Sequence, residues 1–288
     1  MTLTHSHIAA PTQIHSGLRH KAYYYALIML FSPWIAIQGF GQRNLEVGLF
    51  GGDAYYLGDL NPDVHFRAVQ IAYGAFARYN IDERWALKFG ATETKVKGNS
   101  GKTNFLPGRD LSFVTPITDF SLTGEFNFFN YFTGSKYSWI TPYIYAGLGF
   151  FFFNPTSGGV KLRPLGTEGQ NKNFEGRKPY STTGISIPFG LGVKVSLGRR
   201  FAVTAFWEMH KTFTDYIDDV STTYYLVGPV IDQNNPGEIL SDPTKSHLPG
   251  MQRGNPKNYD WYSFSGLTVS YKLNLVGSRK CKDNTYHN

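Results

Sequence analysis

The chain has 288 residues, a formal net charge of +7 and one cysteine, Cys281, so it cannot form a disulfide within itself. Its cations form no basic run, which argues against nucleic acid as a partner. The length suits one domain.

The N-terminal segment has the organisation of a secretory signal peptide. Residues 1–21 contain no acid and end in an Arg-His-Lys cluster, residues 22–37 are almost wholly apolar, and small residues around Gly41 suit cleavage. A membrane anchor is the alternative, but the apolar run is shorter than the roughly 20 residues that a spanning helix needs. We therefore predict a signal peptide over 1–41 and export to the outer membrane.

Eight stretches in the remaining chain alternate apolar and polar side chains. Ile71 and Tyr73 share one face of such a stretch, whereas Arg78 and Asn80 share the other. Their length, roughly 10–16 residues, is close to what a tilted strand needs to cross a hydrocarbon layer. The predicted strands span residues 44–57, 66–81, 84–97, 118–131, 140–153, 181–197, 200–214 and 260–275.

The connections between these strands are alternately long and tight. Tight turns at 82–83, 132–139 and 198–199 separate longer loops at 58–65, 98–117, 154–180 and 215–259. In outer-membrane barrels the tight turns face the periplasm. We therefore predict an all-β fold over residues 42–275, an eight-stranded antiparallel transmembrane β-barrel of meander topology with long extracellular loops. A periplasmic tail follows over residues 276–288.

Rows of alternate apolar residues would face lipid, and aromatic rings beside the tight turns suit the water–lipid boundary. The predicted lipid face consists of Trp85, Leu87, Phe89, Phe120, Leu122, Phe126, Phe128, Ile140, Ile144, Leu148, Phe150, Phe152, Ile185, Ile187, Phe189, Leu191, Val193, Val195, Leu267, Val269, Tyr271 and Leu273.

The complementary rows would face the lumen. Side chains fill an eight-stranded barrel, so acids and bases at similar depth should pair there. This favours a salt-bridged plug, with a narrow polar path as the alternative. The predicted lumen charges are Arg78, Lys88, Glu125, Lys194, Glu208 and Lys272.

Catalysis is the hypothesis that the histidines raise. An activated serine needs a base, usually His, and small outer-membrane barrels include lipid-A-modifying hydrolases. His210 lies two residues from Glu208 on the inward face of a strand, but no serine occupies that strand two residues away. A structural role for His210 is favoured, and we assign no catalytic residue.

An acidic patch formed by Asp215, Asp218 and Asp219 follows the seventh strand. Clustered carboxylates can bind calcium, but this spacing does not match a calcium loop. Asp side chains that bond backbone amides in a turn are favoured. The sequence predicts no metal or cofactor site, since no His/Cys set suits zinc and no Gly-rich loop opens a helix after a parallel strand.

Three sequence blocks resemble the PorG-like family of outer-membrane barrels associated with type IX secretion. They are residues 55–62 (YYLGDLNP), 211–221 (KTFTDYIDDVS) and 253–262 (RGNPKNYDWY). The resemblance covers essentially the whole chain after residue 41. The motif residues in these blocks are Gly58, Asp59, Asn61, Pro62, Asp215, Asp218, Asp219, Arg253, Asn255, Pro256 and Trp261.

The resemblance implies a non-enzymatic barrel that docks secretion components against the outer membrane. The partners implied are a periplasmic ring lipoprotein and its associated subunits, besides outer-membrane lipid. A lipid-A-modifying enzyme and a passive small-solute channel are the alternative functions. Basic residues at the third tight turn and in the tail could meet an acidic partner. These candidate contacts are Arg199, Arg200, Arg279, Lys280 and Lys282.

Overall fold

Long antiparallel strands form the wall of the molecule. A computed structural model describes residues 44–102, 106, 108–226 and 234–273. The predicted signal peptide and the tail lie outside the described residues. The wall strands are β1 Asn44–Leu57, β2 Gln70–Asn80, β3 Trp85–Asn99, β4 Ser112–Asn127, β5 Ile140–Phe153, β6 Thr183–Leu197, β7 Phe201–Thr212 and β8 Trp261–Leu273.

The sheet closes on itself. Each strand pairs antiparallel with the next along the chain, and β8 pairs with β1 in a register that places Leu45 opposite Leu273. Closure pairs the edges that an open sheet would leave exposed, which is a condition for strands in lipid. The predicted eight-stranded antiparallel barrel is therefore confirmed.

The second and fourth strands differ most from the prediction. The second strand was predicted from residue 66 but begins at Gln70, because Phe66 and Ala68 have φ angles of 56° and 54°, which an extended strand does not allow. The fourth was predicted over 118–131 but spans Ser112–Asn127. After Asn127 the chain leaves the wall and enters the turn-end closure described below, although its aromatic residues continue the alternating pattern.

The outer wall is apolar. Every residue of the predicted lipid face is exposed or half-buried, and all but Phe128, which follows the end of β4, lie on the wall; Leu148 is 72% exposed and Leu191 is 54% exposed. Exposed aliphatic rows on all sides of a closed barrel are what a lipid-facing surface requires. The chain thus has the fold of an outer-membrane barrel.

The long connections fold into a cap at one end of the barrel, which we call the loop end. The cap includes a short hairpin, Thr156–Ser157 with Val160–Lys161, and a short α-helix, α1 Pro236–Ser241. Single 3-10 turns lie at Arg163–Leu165, Gln170–Lys172 and Phe174–Gly176. Within the described ranges, no helix is long and apolar enough to cross a membrane. The opposite end, with the connections between β2 and β3, β4 and β5, and β6 and β7, is the turn end.

The interior is filled along its length. An aromatic cluster lies below the cap, and it includes Phe50, Phe151, Phe153, Tyr262 and Phe264. Ile217 and Val220, from the connection between β7 and β8, are buried in the same cluster. The long loop therefore packs into the barrel mouth.

Candidate functional site in the barrel lumen

Glu125 lies at the centre of a buried ion cluster towards the turn end. Its Oε2 atom is 2.6 Å from Nζ of Lys194 and 2.8 Å from Nε of Arg78. Nζ of Lys88 lies 3.9 Å from Oε1. A second carboxylate, Glu46, is 3.1 Å from Arg78. Two acids thus face three bases, so no described charge of the cluster is isolated in the low-dielectric interior.

The structure brings together four of the six predicted lumen charges and places the other two elsewhere. Lys272 donates to the backbone oxygen of Thr133 at 2.7 Å. Glu208 lies nearer the loop end and contacts His210. Glu46 was missed from the predicted lumen charges, although it shares the inward alternation of β1 and lies opposite Arg78 in the sheet. The alternation within β1 was the signal that could have found it.

The connection between β4 and β5 closes the turn end. Thr133 donates to Oε1 of Glu46 at 2.6 Å, and Nζ of Lys272 lies 3.8 Å from the centre of the Phe132 ring. Gly134 has a φ of 97°, and a Cβ atom there would lie 2.5 Å from the backbone oxygen of Arg199. The predicted tight turn over 132–139 is therefore a longer segment, because it fills the mouth of the barrel as well as reversing the chain.

His210 is the centre of a second buried cluster. Its Nε2 atom is 2.6 Å from Oε1 of Glu208, and its Nδ1 atom is 3.3 Å from Oγ of Ser186 and 3.5 Å from Oδ2 of Asp119. The imidazole stacks on Tyr262 with the ring centres 4.5 Å apart. These residue types can supply a nucleophile, a base and an orienting acid, but each of the five is at most 4% exposed. The cluster is sealed from a substrate.

A group of carboxylic acids lies in the cap. The hydroxyl of Tyr56 is 2.5 Å from Oδ2 of Asp218 and 2.9 Å from Oδ1 of Asp260. One hydroxyl proton cannot serve two ionised carboxylates, so the geometry favours a proton on one of them. Burial raises the pKa of Asp218 and of Asp260 well above the usual range, and burial with the neighbouring Asp218 raises the pKa of Asp215 to about 9.

The acidic patch was predicted to be a turn held by Asp side chains, and two of these side chains make contacts that hold it. Oδ1 of Asp218 accepts from the amide of Val220 at 2.9 Å. Asp219, with a φ of 63°, accepts from Tyr180 at 2.5 Å and from Thr167. Among the described residues, no three His, Cys, Asp or Glu side chains form a group that could hold a metal ion.

The three blocks that carry the resemblance meet in the cap. Asp59 accepts from the amide of Asn255 at 2.8 Å, which joins the first block to the third. Burial raises the pKa of Asp59 to about 6. Arg253 lies 3.0 Å from Glu168 and donates to the backbone oxygen of Asp219 at 2.6 Å, which joins the third block to the second. Separation in sequence hid this convergence.

The remaining motif residues shape the rim. Gly58 and Asn61 form an isolated bridge, and the Asn61 amide donates to the backbone oxygen of Tyr56 at 2.7 Å. Pro62 is half-buried beyond that bridge and Pro256 is exposed. Trp261 begins β8 and packs against Phe189 with the ring centres 6.1 Å apart. We see a supporting role for these residues in the rim.

The candidate partner contacts fall into two groups. Arg199 and Arg200 are exposed at the turn end, where Arg200 donates to the Tyr271 hydroxyl at 2.6 Å. Arg279, Lys280 and Lys282 lie outside the described residues.

The chain matches one sequence family, and its fold is similar to that of several small barrels of known structure. The model of a family described as "Domain of unknown function (DUF6089)" matches residues 21–224. No curated protein matches the chain in sequence. Three of the similar solved structures each match over 81% of this chain and 98% of their own. They are Neisserial surface protein A (12% identity, TM-score 0.39), the N-terminal barrel domain of Pseudomonas aeruginosa OprF (12%, 0.36) and Pseudomonas aeruginosa OprG (13%, 0.37).

Proposed function

This chain belongs to the DUF6089 family, and on that premise we propose that it is a non-enzymatic outer-membrane barrel that docks components of a type IX secretion machine. The observation that carries the proposal is a barrel closed at both ends and filled between them. Such a barrel offers surfaces to partners but no sizeable path through its lumen. The type IX assignment comes from the resemblance of the three blocks.

The proposal places the tight turns in the periplasm and the cap outside the cell. The apolar wall supports a membrane location, and outer-membrane barrels direct their long loops outward. Epitope tags in the loops at 154–180 or 215–259 should then be labelled on intact cells, while a tag after Leu275 should need a permeabilised outer membrane. Labelling of the tail alone on intact cells would reverse the orientation.

Docking belongs at the turn end, because a ring under the outer membrane can reach only that end of the barrel. Arg199 and Arg200 lie on the exposed connection between β6 and β7, and the tail adds three cations. Charge of this sign would attract an acidic patch on the ring lipoprotein or its associated subunits, and salt would weaken that contact.

Crosslinking in intact cells followed by co-purification tests the proposal. Charge reversal at Arg199 and Arg200 together with deletion of residues 277–288 should lower recovery of periplasmic partners and secretion of type IX cargo. Charge reversal at Lys178 and Lys257, two exposed lysines of the cap, is the matched control. Barrel abundance, measured in every strain, separates docking from folding. Unchanged recovery and secretion in the first variant would refute this placement.

The geometry around His210 is the one observation that favours a different function. Ser186, His210 and Glu208 have the residue types of a hydrolase and lie within contact distance. Their complete burial favours a structural role instead. A passive channel is the third function, and the two filled ends argue against it.

A further inference from the structure

A cavity of about 270 Å³ opens at the loop-end rim. Leu60 and Phe113 form buried apolar lining, and Val114, on the outer wall of β4, is 38% exposed. The loop between β1 and β2 contributes Arg67, and the end of β3 contributes Lys97. The cavity thus combines an apolar surface with two cations contributed by different elements.

These cations have no compensating acid in the described part of the chain. No hydrogen bond or ion pair joins the side chain of Arg67 or Lys97 to a described residue, and the same holds for the side chain of Lys95, two residues before Lys97 on the same exposed face. The acid further along that face, Glu93, accepts a hydrogen bond from Thr118 at 2.8 Å. A ligand with a negative charge would supply what the protein leaves out.

A buried polar atom at the same cavity points to a ligand as well. Asn61, which lines the cavity, is 3% exposed, and its Oδ1 atom has no hydrogen-bond partner among the described residues. Its Nδ2 atom is fully used by the backbone oxygens of Tyr56 and Val64. The free oxygen can therefore accept a hydrogen bond from a ligand hydroxyl group.

The cavity lies at the rim of the outward-facing wall, and this position favours an anion that also has an apolar part. Lys97 pairs with Val114 and Lys95 pairs with Pro116, so both lysines lie on the outward face of the wall. Further down the same two strands, Phe89 and Leu122 are opposite one another and about half exposed. A ligand here meets charge at the rim and a continuous apolar surface towards the middle of the wall.

We propose that this cavity binds the phosphorylated sugar headgroup of an outer-leaflet glycolipid. The phosphate contacts Arg67 and Lys97, a sugar hydroxyl donates to Oδ1 of Asn61, and the acyl chains lie along the apolar wall below. Arg and Lys are the side chains that bind phosphate oxygens best, Arg through paired hydrogen bonds. The outer-leaflet location rests on the orientation proposed above. The site is separate from the turn-end docking surface, so binding to this cavity and docking at the turn end can fail independently.

Native mass spectrometry of the purified full chain in detergent tests the site with three probes: diphosphorylated lipid A, the same lipid without phosphate, and inorganic phosphate. The expected result is tight binding of the first probe alone. Arg67→Ala with Lys97→Ala should weaken it by at least about ten-fold, since two charge-assisted contacts are lost. Ser112→Trp, which fills the cavity from an exposed lining position, should weaken binding without changing the charge.

The matched control removes two cap cations that do not line the cavity, Lys178→Ala with Lys257→Ala, and should change the affinity less than about two-fold. Equal losses of affinity in both double variants would overturn the proposal in favour of non-specific charge attraction. Binding of inorganic phosphate as tight as that of the lipid would overturn it in favour of a free-phosphate site. Undiminished binding in both the charge variant and Ser112→Trp would also overturn it. Melting temperatures measured for every variant separate a loss of binding from a loss of folding.

Discussion

Nζ of Lys194 lies 2.6 Å from Oε2 of Glu125, and neither side chain is exposed. The same carboxylate also faces Arg78 and Lys88. Removing one partner of a buried ion cluster leaves the other charges uncompensated, which is far more harmful than losing an exposed pair.

Glu125→Leu should therefore lower the free energy of unfolding by about 3–5 kcal/mol. Chemical unfolding of the detergent-solubilised barrel measures it. Glu175→Leu is the control, because Glu175 pairs with Arg177 while 60% of its side chain is exposed; we expect a change within about 1 kcal/mol. Similar effects for the two variants would show that the cluster is not essential to stability.

Ser186→Ala separates a structural from a catalytic role at His210. A structural role predicts a loss of about 1 kcal/mol, because one hydrogen bond disappears, with the lipid A of the host strain unchanged in its mass spectrum. His210→Ala should be more damaging, since Glu208 then loses its 2.6 Å partner. Loss of a lipid A modification with an unchanged melting temperature in Ser186→Ala would establish the hydrolase instead.

The cap should loosen as the pH rises. The pKa of Asp215 is raised from 3.8 to about 9 and that of Asp59 from 3.8 to about 6. The folded state therefore holds protons that the unfolded state releases, so the stabilisation is complete below pH 4 and is lost as the pH rises through these folded values. After correction for the intrinsic exchange rate, hydrogen exchange of residues 215–226 should be faster at pH 9.5 than at pH 6.

Asp215→Asn, which imitates the neutral acid, should reduce that difference. Asp63→Asn, at an exposed position in the loop between β1 and β2, is the control. Exchange that is independent of pH in the unmodified protein, after correction for its intrinsic rate, would contradict the assignment of protons to the cap.

The filled lumen predicts no steady conductance in planar bilayers. Thr133→Ala with Lys272→Ala removes the contacts that hold the turn-end segment to Glu46 and to β8. We expect no openings in the unmodified barrel. In this variant we expect openings that are only brief, because the ion cluster around Glu125 still fills the lumen. A stable open level in the unmodified protein would favour the channel function.

The two-residue alternation of apolar and polar side chains was the strongest signal of the fold in the sequence. It predicted β1 and β5 with the bounds observed, and the lipid-facing rows that it assigned within β3, β4, β5, β6 and β8 face outward, because a two-residue period leaves little freedom once one face is apolar. It failed after Asn127, where aromatic residues continue to alternate but Tyr131 turns into the barrel mouth. Periodicity does not distinguish a strand from a segment that plugs the lumen.

Contacts between strands were harder to predict than faces. Glu208 and His210 share a strand and were recognised together, whereas Ser186 and Asp119 reach the same imidazole from two other strands. Ser186 lies on β6, which a tight turn joins to β7, so its approach to His210 follows from the register of that hairpin. Asp119 lies on β4, and its approach depends on the relative shift of strands that are not neighbours, which sequence patterns do not determine. The same reason hid the meeting of the three cap blocks.

The seam between β1 and β8 has a consequence for folding. Ser270 donates to Oε2 of Glu46 across it at 3.0 Å, although 224 positions separate the two residues. Contacts of such high sequence separation form only after a large loop-closure entropy has been overcome, so high contact order makes seam closure a slow step. Until then the edges of β1 and β8 have unpaired amides and carbonyls, and a factor that pairs with either edge would speed insertion of the barrel into its membrane.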